Sequence, residues 1–325
     1  MKQPILVTGG AGYIGSHVCK ALAKAGYLPV AYDNLSRGNR WAVKWGPLVE
    51  GDIADRAKLG AVLAEYHPEV VIHLAAFAYV GESAQKPELY YRNNVAGTLA
   101  LLETMREVDV KRLVFSSTCA TYGVPVENPI SEAQSQFPIN VYGRTKLAVE
   151  HMIGDFAQAY GLNHVTFRFF NAAGADPDGE IGEAHEPEPH LIPLAIAAAG
   201  ENASELAIYG DTYPTADGTC VRDYLHVADI AQAHIDALTL LAKGESEFLN
   251  LGTGRGHSVM EIIRAVENCT GRSLRYRMAG PRVGDPATLV ADAALATKRL
   301  GWMPRQSDLH SMVESACRWE RSRAA

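Results

Sequence analysis

Long apolar runs are missing from this 325-residue chain. The longest, Val70 to Val80 and Leu191 to Ala199, fall short of the ~20 residues a membrane-spanning helix needs, and His73 interrupts the first. Cysteine is scarce. The five present (Cys19, Cys119, Cys220, Cys269 and Cys317) are odd in number and scattered, with no Cys-x-x-Cys pair to nucleate a zinc site or redox couple. No disulfide framework is expected, and a reducing, cytoplasmic compartment fits best. Positive charge is also short: 30 Lys and Arg against 37 Asp and Glu leave a formal net charge of -7. A diffuse field of that sign repels phosphate backbones and anionic lipid, so neither nucleic acid nor a membrane surface is an expected partner. The N-terminus passes from Lys2 through Pro4 directly into Ile5-Leu6-Val7 and glycines, too little apolar sequence for the core of a signal peptide. It reads as a first strand.

What is present is the pattern of a parallel sheet wrapped by crossover helices: short β-rich runs alternating with amphipathic stretches of helix length. Strands are expected at Ile5 to Thr8, Leu28 to Tyr32, Leu48 to Glu50, Val70 to Leu74, Arg112 to Ser116 and His164 to Phe169. Several are apolar on successive residues, as strands covered on both faces are. The clearest helices run from Ile14 to Ala25, Val95 to Glu107 and Tyr142 to Tyr160, with Gly26 and Gly161 as C-terminal stops. After Asn171 the texture changes. Ala172 to Pro189 is rich in Gly, Pro, Asp and Glu without periodicity and reads as a long loop, as does Tyr209 to Arg222 before a strand and helix at Tyr224 to Leu241. The fold class is therefore α/β: a doubly wound, Rossmann-type sheet over residues 1–171, and a smaller α/β domain over 172–325 from which about 222–242 returns to the first.

The first strand runs into Gly9, Gly12 and Gly15, spaced three and three and followed at once by a helix. Gly9 permits the tight turn, Gly12 lets backbone approach a pyrophosphate, and Gly15 lets helix pack on strand, while the helix N-terminus offers free N–H groups. The second strand ends at Asp33, 18 residues past Gly15, where a carboxylate can accept both hydroxyls of an adenosine ribose and repel a 2′-phosphate. NAD is favoured over NADP, with Arg37 and Arg40 read as solvated loop charges. Asp52 and Ile53 follow the third strand, where a polar-then-apolar pair can flank an adenine ring. Tyr142 and Lys146 lie four apart at the start of a helix, one turn apart on one face. Bringing a phenol from its usual pKa of ~10 to ~7 takes about 4 kcal/mol of preferential phenolate stabilisation, which a nearby ammonium and a nicotinamide cation can provide. Such pairs are common on amphipathic helices; the hydroxyl run Ser116-Ser117-Thr118 at the carboxyl end of a strand, where open α/β sheets bind ligands, marks this one out. Other constellations fail. There is no Gly-x-Ser-x-Gly elbow, no Walker lysine after the glycines and no His pair at helical ligand spacing. His185 and His190 sit in a proline-broken loop, so no metal is expected, and His73 reads as a hydrogen-bonded structural residue.

The glycine turn, the strand-end hydroxyls, Tyr142-x-x-x-Lys146 and Asn93-Asn94-Val95 together resemble the extended short-chain dehydrogenase/reductase family. Within it, Val7-Thr8-Gly9-Gly10-Ala11-Gly12-Tyr13-Ile14-Gly15-Ser16-His17, Phe170-Asn171, Gly218-Thr219-Cys220-Val221-Arg222-Asp223-Tyr224 and Asn250-Leu251-Gly252 are similar to the nucleotide-sugar 4-epimerases, a likeness spanning nearly the whole chain. The resemblance implies a tightly bound NAD that is not consumed. It also implies 4-epimerisation of a UDP-hexose, UDP-glucose or UDP-galactose, through a transient 4-keto sugar. Tyr142 would be the base at the sugar 4′-hydroxyl, Thr118 its partner there, and Lys146 the group that lowers the tyrosine pKa and holds the nicotinamide ribose. Matches to cofactor contacts are Tyr13, Ile14, Asp33, Asn34, Asp52, Ile53, Asn94 and Phe170, beside the three glycines. On the UDP-sugar side they are Asn171, His190, Ala207, Ile208, Tyr209, Arg222, Arg282 and Asp285. A diphosphate bound by an acidic protein needs a fixed cationic clamp, which suits Arg222 and Arg282. A homodimer through the helices starting at Asn94 and Tyr142 is a family expectation.

Four departures stand out. Thr118 replaces a more usual Ser, with Ser117 as the other candidate; Ala78 lacks a lysine that some members place near the cofactor phosphates; His190 replaces an amide at the diphosphate; and Leu289 is intermediate in size at the position that gates N-acetylated sugars. The alternatives are a 4-epimerase of a UDP-pentose, UDP-uronate or UDP-N-acetylhexosamine, and a silent NAD-binding sensor. A 4,6-dehydratase would need an acid/base pair where Cys119 and Ala120 stand.

Overall fold

The computed structural model describes residues 2–200, 205–282 and 285–324. Among these, the strands are β1 (Pro4–Thr8), β2 (Leu28–Asp33), β3 (Leu48–Glu50), β4 (Val70–His73), β5 (Arg112–Thr118), β6 (Asn163–Phe169), β7 (Asn171–Ala173), β8 (Leu206–Tyr209), β9 (Val221–His226), β10 (Glu247–Leu251), β11 (Gly256–Ser258), β12 (Tyr276–Ala279) and β13 (Thr288–Leu289). The helices are α1 (Tyr13–Lys24), α2 (Arg56–Tyr66), α3 (Val80–Gln85), α4 (Pro87–Tyr90), α5 (Gly97–Glu107), α6 (Val141–Tyr160), α7 (Leu191–Ala198), α8 (Val227–Ala242), α9 (Val259–Thr270), α10 (Ala294–Leu300) and α11 (Leu309–Ala324).

Seven strands form an all-parallel sheet in the order β3-β2-β1-β4-β5-β6-β10. Side chains alternate across it. Ile5 and Val7 of β1, Val70 and Ile72 of β4 and Val114 of β5 pack under Val18 and Leu22 of α1 and Ile230 and Ala237 of α8. Leu6, Val71, Leu113 and Phe115 face the other way, onto Leu59 and Leu63 of α2, Leu101 and Met105 of α5, and Val149 and Ile153 of α6. Both faces are covered, which is why these strands read as continuous apolar runs. The chain reverses its direction of travel across the sheet between β1 and β4, and the carboxyl ends of strands at such a point bound a crevice where ligands bind.

A smaller lobe gathers α7, α9 and α11 with β8 around Ile192, Ile208, Ile262, Val266, Met312 and Val313. Helix α8 and strand β10 belong to the large sheet, whereas β9 pairs with β7, β11 and β13 in a second sheet. The returning segment thus reaches Leu251 rather than ending near 242, because β10 needs β6 as a parallel neighbour. Two further expectations need correction. The Ala172 to Pro189 loop begins inside a strand, β7, too short to show periodicity and held by pairing of Asn171, Ala172 and Ala173 with Tyr224, Leu225 and His226. The helix expected from Val95 starts instead with a wide π turn, Tyr91–Ala96, before α5.

Candidate active site

The parallel strands of the large sheet all end at one edge, where Thr8, Asp33, His73, Thr118 and Phe169 are their last residues. The glycine turn caps β1. Gly9 adopts φ +73, and a Cβ there would meet Ala75 N at 2.6 Å; a Cβ on Gly15 would lie 2.0 Å from Gly9 O. At Gly12 the nearest obstacle to a Cβ is Gly9 O at 3.3 Å. The first and last glycines therefore shape the protein itself, while the middle one leaves backbone open to a ligand. Asp33 is buried, and both carboxylate oxygens accept main-chain N–H bonds, from Ala11 at 3.0 Å and Leu35 at 2.8 Å. Burial raises its pKa against the pull of these bonds. Asn34 donates to Asp52 Oδ2 at 2.9 Å, so these two form one edge of the crevice. Ile53 is packed into the core with Leu59 and Leu63 and touches the space beside Gly97.

Tyr13 heads α1 and donates its hydroxyl to Gly174 O at 2.6 Å, with Ile14 beside it packed on the core. Asn94 is buried in the π turn. It accepts from Phe77 N at 2.9 Å and donates to Phe77 O at 3.0 Å and Thr145 Oγ1 at 3.2 Å, pinning the Ala75–Tyr79 segment to α6. Arg37 is no solvated loop charge. Its guanidinium lies 5.4 Å from the Phe77 ring centre and 4.9 Å from that of Tyr79, the residues flanking Ala78, and binds both oxygens of Glu82 at 2.8 Å. A cation thus stands next to the position where the lysine is missing. Arg40, by contrast, is an exposed partner of Glu50.

The chemical pair sits on α6, whose first turn is capped by Asn140 Oδ1 accepting from Gly143 N at 2.7 Å. Tyr142 and Lys146 are both buried, one turn apart, with Lys146 Nζ 6.0 Å from the Tyr142 ring centre, 4.8 Å from that of Phe115, and donating to Ser116 O at 2.6 Å. Burial pushes the Tyr142 phenol well above its usual range, opposed by the Thr118 hydroxyl beside it. Burial likewise draws Lys146 down to about 7, against the carboxylate of Glu150. Each group resists its charged form until an added charge compensates.

Packing gives the two hydroxyls different neighbours. Ser117 is fully buried and donates to Glu150 Oε1, whereas the buried Thr118 places its hydroxyl at the Tyr142 phenol. Glu150, one turn beyond Lys146, also takes Arg168 Nη2 at 2.7 Å and Nε at 3.1 Å. Arg168 in turn donates to Tyr122 Oη at 3.0 Å, and Tyr122 to Asn250 Oδ1 at 2.7 Å. This buried network ties β5, α6, β6 and β10 together behind the reactive pair, and sequence reasoning missed it. Its signals were a glutamate continuing the Tyr142–Lys146 spacing and an arginine inside an apolar strand. His73 bridges Thr8 Oγ1 at 2.7 Å and Thr98 Oγ1 at 2.8 Å, the structural role expected of it.

The second lobe meets this edge through Leu289, which packs with Cys119, Tyr122, Ile130 and Phe170. Leu289 pairs across β13 and β9 with Arg222, whose Nη2 is 2.5 Å from Asp285 Oδ1. Arg282 lies 4.1 Å over the ring of the exposed Tyr209. Arg222, Arg282, Asp285, Tyr209 and Leu289 are thereby brought to one side, with Asn171 opening β7 nearby on β9. Leu206 and Ile208 are buried in the small-lobe core, while Ala207, paired with Arg277, and the exposed Tyr209 lie on the opposite face of the strand. His190 turns its Nδ1 to Glu183 and Glu188.

Residues 5–252 match the model of the NAD dependent epimerase/dehydratase family. Among curated relatives, the UDP-glucose 4-epimerase of Rhizobium meliloti is 51% identical over 98% of this chain and 97% of its own. The crystal structure of UDP-glucose 4-epimerase from Brucella ovis in complex with NAD superimposes with a TM-score of 0.95 at 53% identity, covering 97% of each chain. That of the Bifidobacterium longum enzyme in complex with NAD+ and UDP gives 0.94 at 37% identity, covering 99% of each. With the glycine turn, Asp33 and the Thr118–Tyr142–Lys146 set in place on a doubly wound sheet, this chain belongs to the NAD dependent epimerase/dehydratase family.

Proposed function

We propose that this chain is an NAD-dependent 4-epimerase that interconverts UDP-glucose and UDP-galactose through a transient 4-keto sugar. The observation that carries it is the Thr118 hydroxyl beside the buried Tyr142 phenol, with Lys146 one turn away at the carboxyl edge of the sheet. The residues present fit NAD: the glycine turn has room at Gly12, and Asp33 is held in one orientation for ribose hydroxyls. Bound NAD supplies a hydride acceptor that returns the hydride, and a positive ring near the phenol.

Ionised once the positive charge of bound NAD compensates it, Tyr142 Oη would take the 4′-hydroxyl proton as C4 is oxidised to the ketone and give it back as C4 is reduced from the opposite face. Thr118 Oγ1 holds the same hydroxyl, and the Ser116 carbonyl keeps Lys146 Nζ beside the ring. The large lobe is proposed to hold NAD and the small lobe UDP, with Arg222 and Arg282 flanking the diphosphate. Gripping the nucleotide while leaving the sugar few fixed contacts lets the keto sugar turn over between the two transfers. Dehydration is disfavoured by the site's chemistry: Cys119 is buried with its thiol pushed up to about 12, and Ala120 carries no acid. A homodimer through α5 and α6 accords with the exposed Tyr91 and Leu99 near the start of that face, and a reducing cytoplasmic location with five free cysteines. No helix among the described residues is long and apolar enough to cross a membrane.

Incubation with UDP-glucose, UDP-galactose, their N-acetyl forms, UDP-xylose and UDP-glucuronate, without added NAD, tests the reading. UDP-glucose and UDP-galactose should interconvert. Exclusive turnover of another pair would transfer the function to that substrate, and no turnover at all would leave a silent NAD-binding protein.

A further inference from the structure

The loop between β7 and α7 gathers four side chains whose chemistry the epimerisation does not use: Glu183, His185, Glu188 and His190. One ligand-type atom from each lies within 4.8 Å of all the others. His190 Nδ1 is 2.6 Å from Glu183 Oε1 and 2.8 Å from Glu188 Oε1, and His185 Nδ1 is 3.1 Å from Glu183 Oε1 and 3.4 Å from Glu188 Oε2. Each imidazole nitrogen thus stands between the same two carboxylates, meeting Glu183 through one oxygen and Glu188 through either of its two. Tetrahedral ligands bound to zinc at about 2.0–2.2 Å stand roughly 3.3–3.6 Å from one another, so the set needs to open by less than about 1 Å to hold an ion.

His185 Nδ1 is the decisive atom. It is buried and near two carboxylates, yet aligned for a hydrogen bond with neither. A nitrogen placed between two carboxylates rather than on either is placed as a ligand to something between them. Glu183 is itself only 7% exposed, and its charge needs compensation there. Tyr13 stacks edge-on against His185 at 6.2 Å, and Tyr79 against His185 at 5.7 Å and His190 at 6.2 Å, walling the cluster with aromatic surface. Pro187 and Pro189 limit the backbone freedom of the segment, reducing what it loses on binding.

We propose that Glu183, His185, Glu188 and His190 form a structural site for one divalent transition-metal ion of zinc type. Two imidazoles and two carboxylates select zinc over magnesium or calcium, which prefer oxygen alone. The ion neutralises both carboxylates and stiffens the loop against Tyr13 at the rim of the cofactor crevice. His190 then serves as a metal ligand and not as a contact to the diphosphate. The proposal stands apart from the epimerase reading, since no step of that reaction passes through it.

The test uses full-length, tag-free protein stripped with a chelator and titrated first with Co2+, then with Zn2+. One equivalent of Co2+ should give the visible bands of a four-coordinate site and be displaced by one equivalent of Zn2+. The zinc-loaded form should unfold at a higher temperature than the stripped form, because the ion binds only the folded loop. His185→Gln and Glu188→Gln, each checked by circular dichroism for an intact fold, should weaken Zn2+ binding by at least about tenfold. Absence of saturable uptake by the wild type, or equal uptake by folded variants, would overturn the proposal and leave an imidazolium–carboxylate cluster in its place.

Discussion

A phenol and an ammonium buried side by side each resist ionising, and Tyr142 and Lys146 show both halves of that conflict. The crevice is thereby poised to respond to the charge of what it binds. Tyr142→Phe keeps the ring's packing but removes the only proton acceptor assigned at C4. It should retain bound NAD and lose ~10²-fold or more in turnover, read by NAD release on denaturation alongside the epimerase rate; near-normal turnover would remove Tyr142 from the mechanism. Ser117 and Thr118 make a second contrast. Thr118→Val should cost roughly tenfold or more in rate, whereas Ser117→Ala, which removes a bond to Glu150, should cost about 1 kcal/mol of stability and little rate. Both residues were visible in the sequence as one hydroxyl run. Which of them meets Tyr142 depends on strand register, and Glu150 on α6 is what holds Ser117 away.

At the scale of the element, α6 presents three functional levels along one face: Tyr142 and Lys146 at the crevice, then Glu150 under β5 and β6. Its length, its start near Tyr142 and its stop at Gly161 were legible from periodicity and cap chemistry. Its lower anchor was not, because Arg168 lies on another strand and meets Glu150 only once β6 pairs with β5. Removing one partner of a buried pair strands the other's charge, so Glu150→Ala should lower stability by roughly 3–5 kcal/mol in urea unfolding. Because Glu150 also faces Lys146, the folded fraction of this variant should show a disturbed pH–rate profile. A loss below about 1 kcal/mol would mean that the network is not a unit.

At the scale of the whole molecule, burial lowers the pKa of six buried histidines among the described residues: it holds His17, His164 and His234 at about 4 and His73 at about 3, and also pulls His226 and His257 down. In the unfolded chain they titrate near 6.5. Their folded pKa values lie below the unfolded one, so as pH falls through 6.5 toward 4 the unfolded state takes up protons that the folded state refuses, and stability drops by up to about 1.4 kcal/mol per pH unit for each group. Unfolding free energies measured between pH 7 and 4.5 should fall steeply, less so in His73→Asn. A flat profile over that window would show that these rings are not neutral in the fold.

The order of strands and helices, the NAD-type glycine turn, Asp33 and the Tyr142–Lys146 spacing were all set by the chain's local chemistry: side-chain periods, the conformational needs of glycine, and residues one helical turn apart. Only the tertiary structure decided the rest. It put the Thr118 hydroxyl at Tyr142 and that of Ser117 on Glu150, set Arg37 beside Ala78, carried β10 back to the large sheet and closed Glu183, His185, Glu188 and His190 into one cluster within a loop that has no periodicity to read. These are contacts between segments, or within an irregular one, and their geometry exists only once the layers have packed and each buried charge has found its counter-charge.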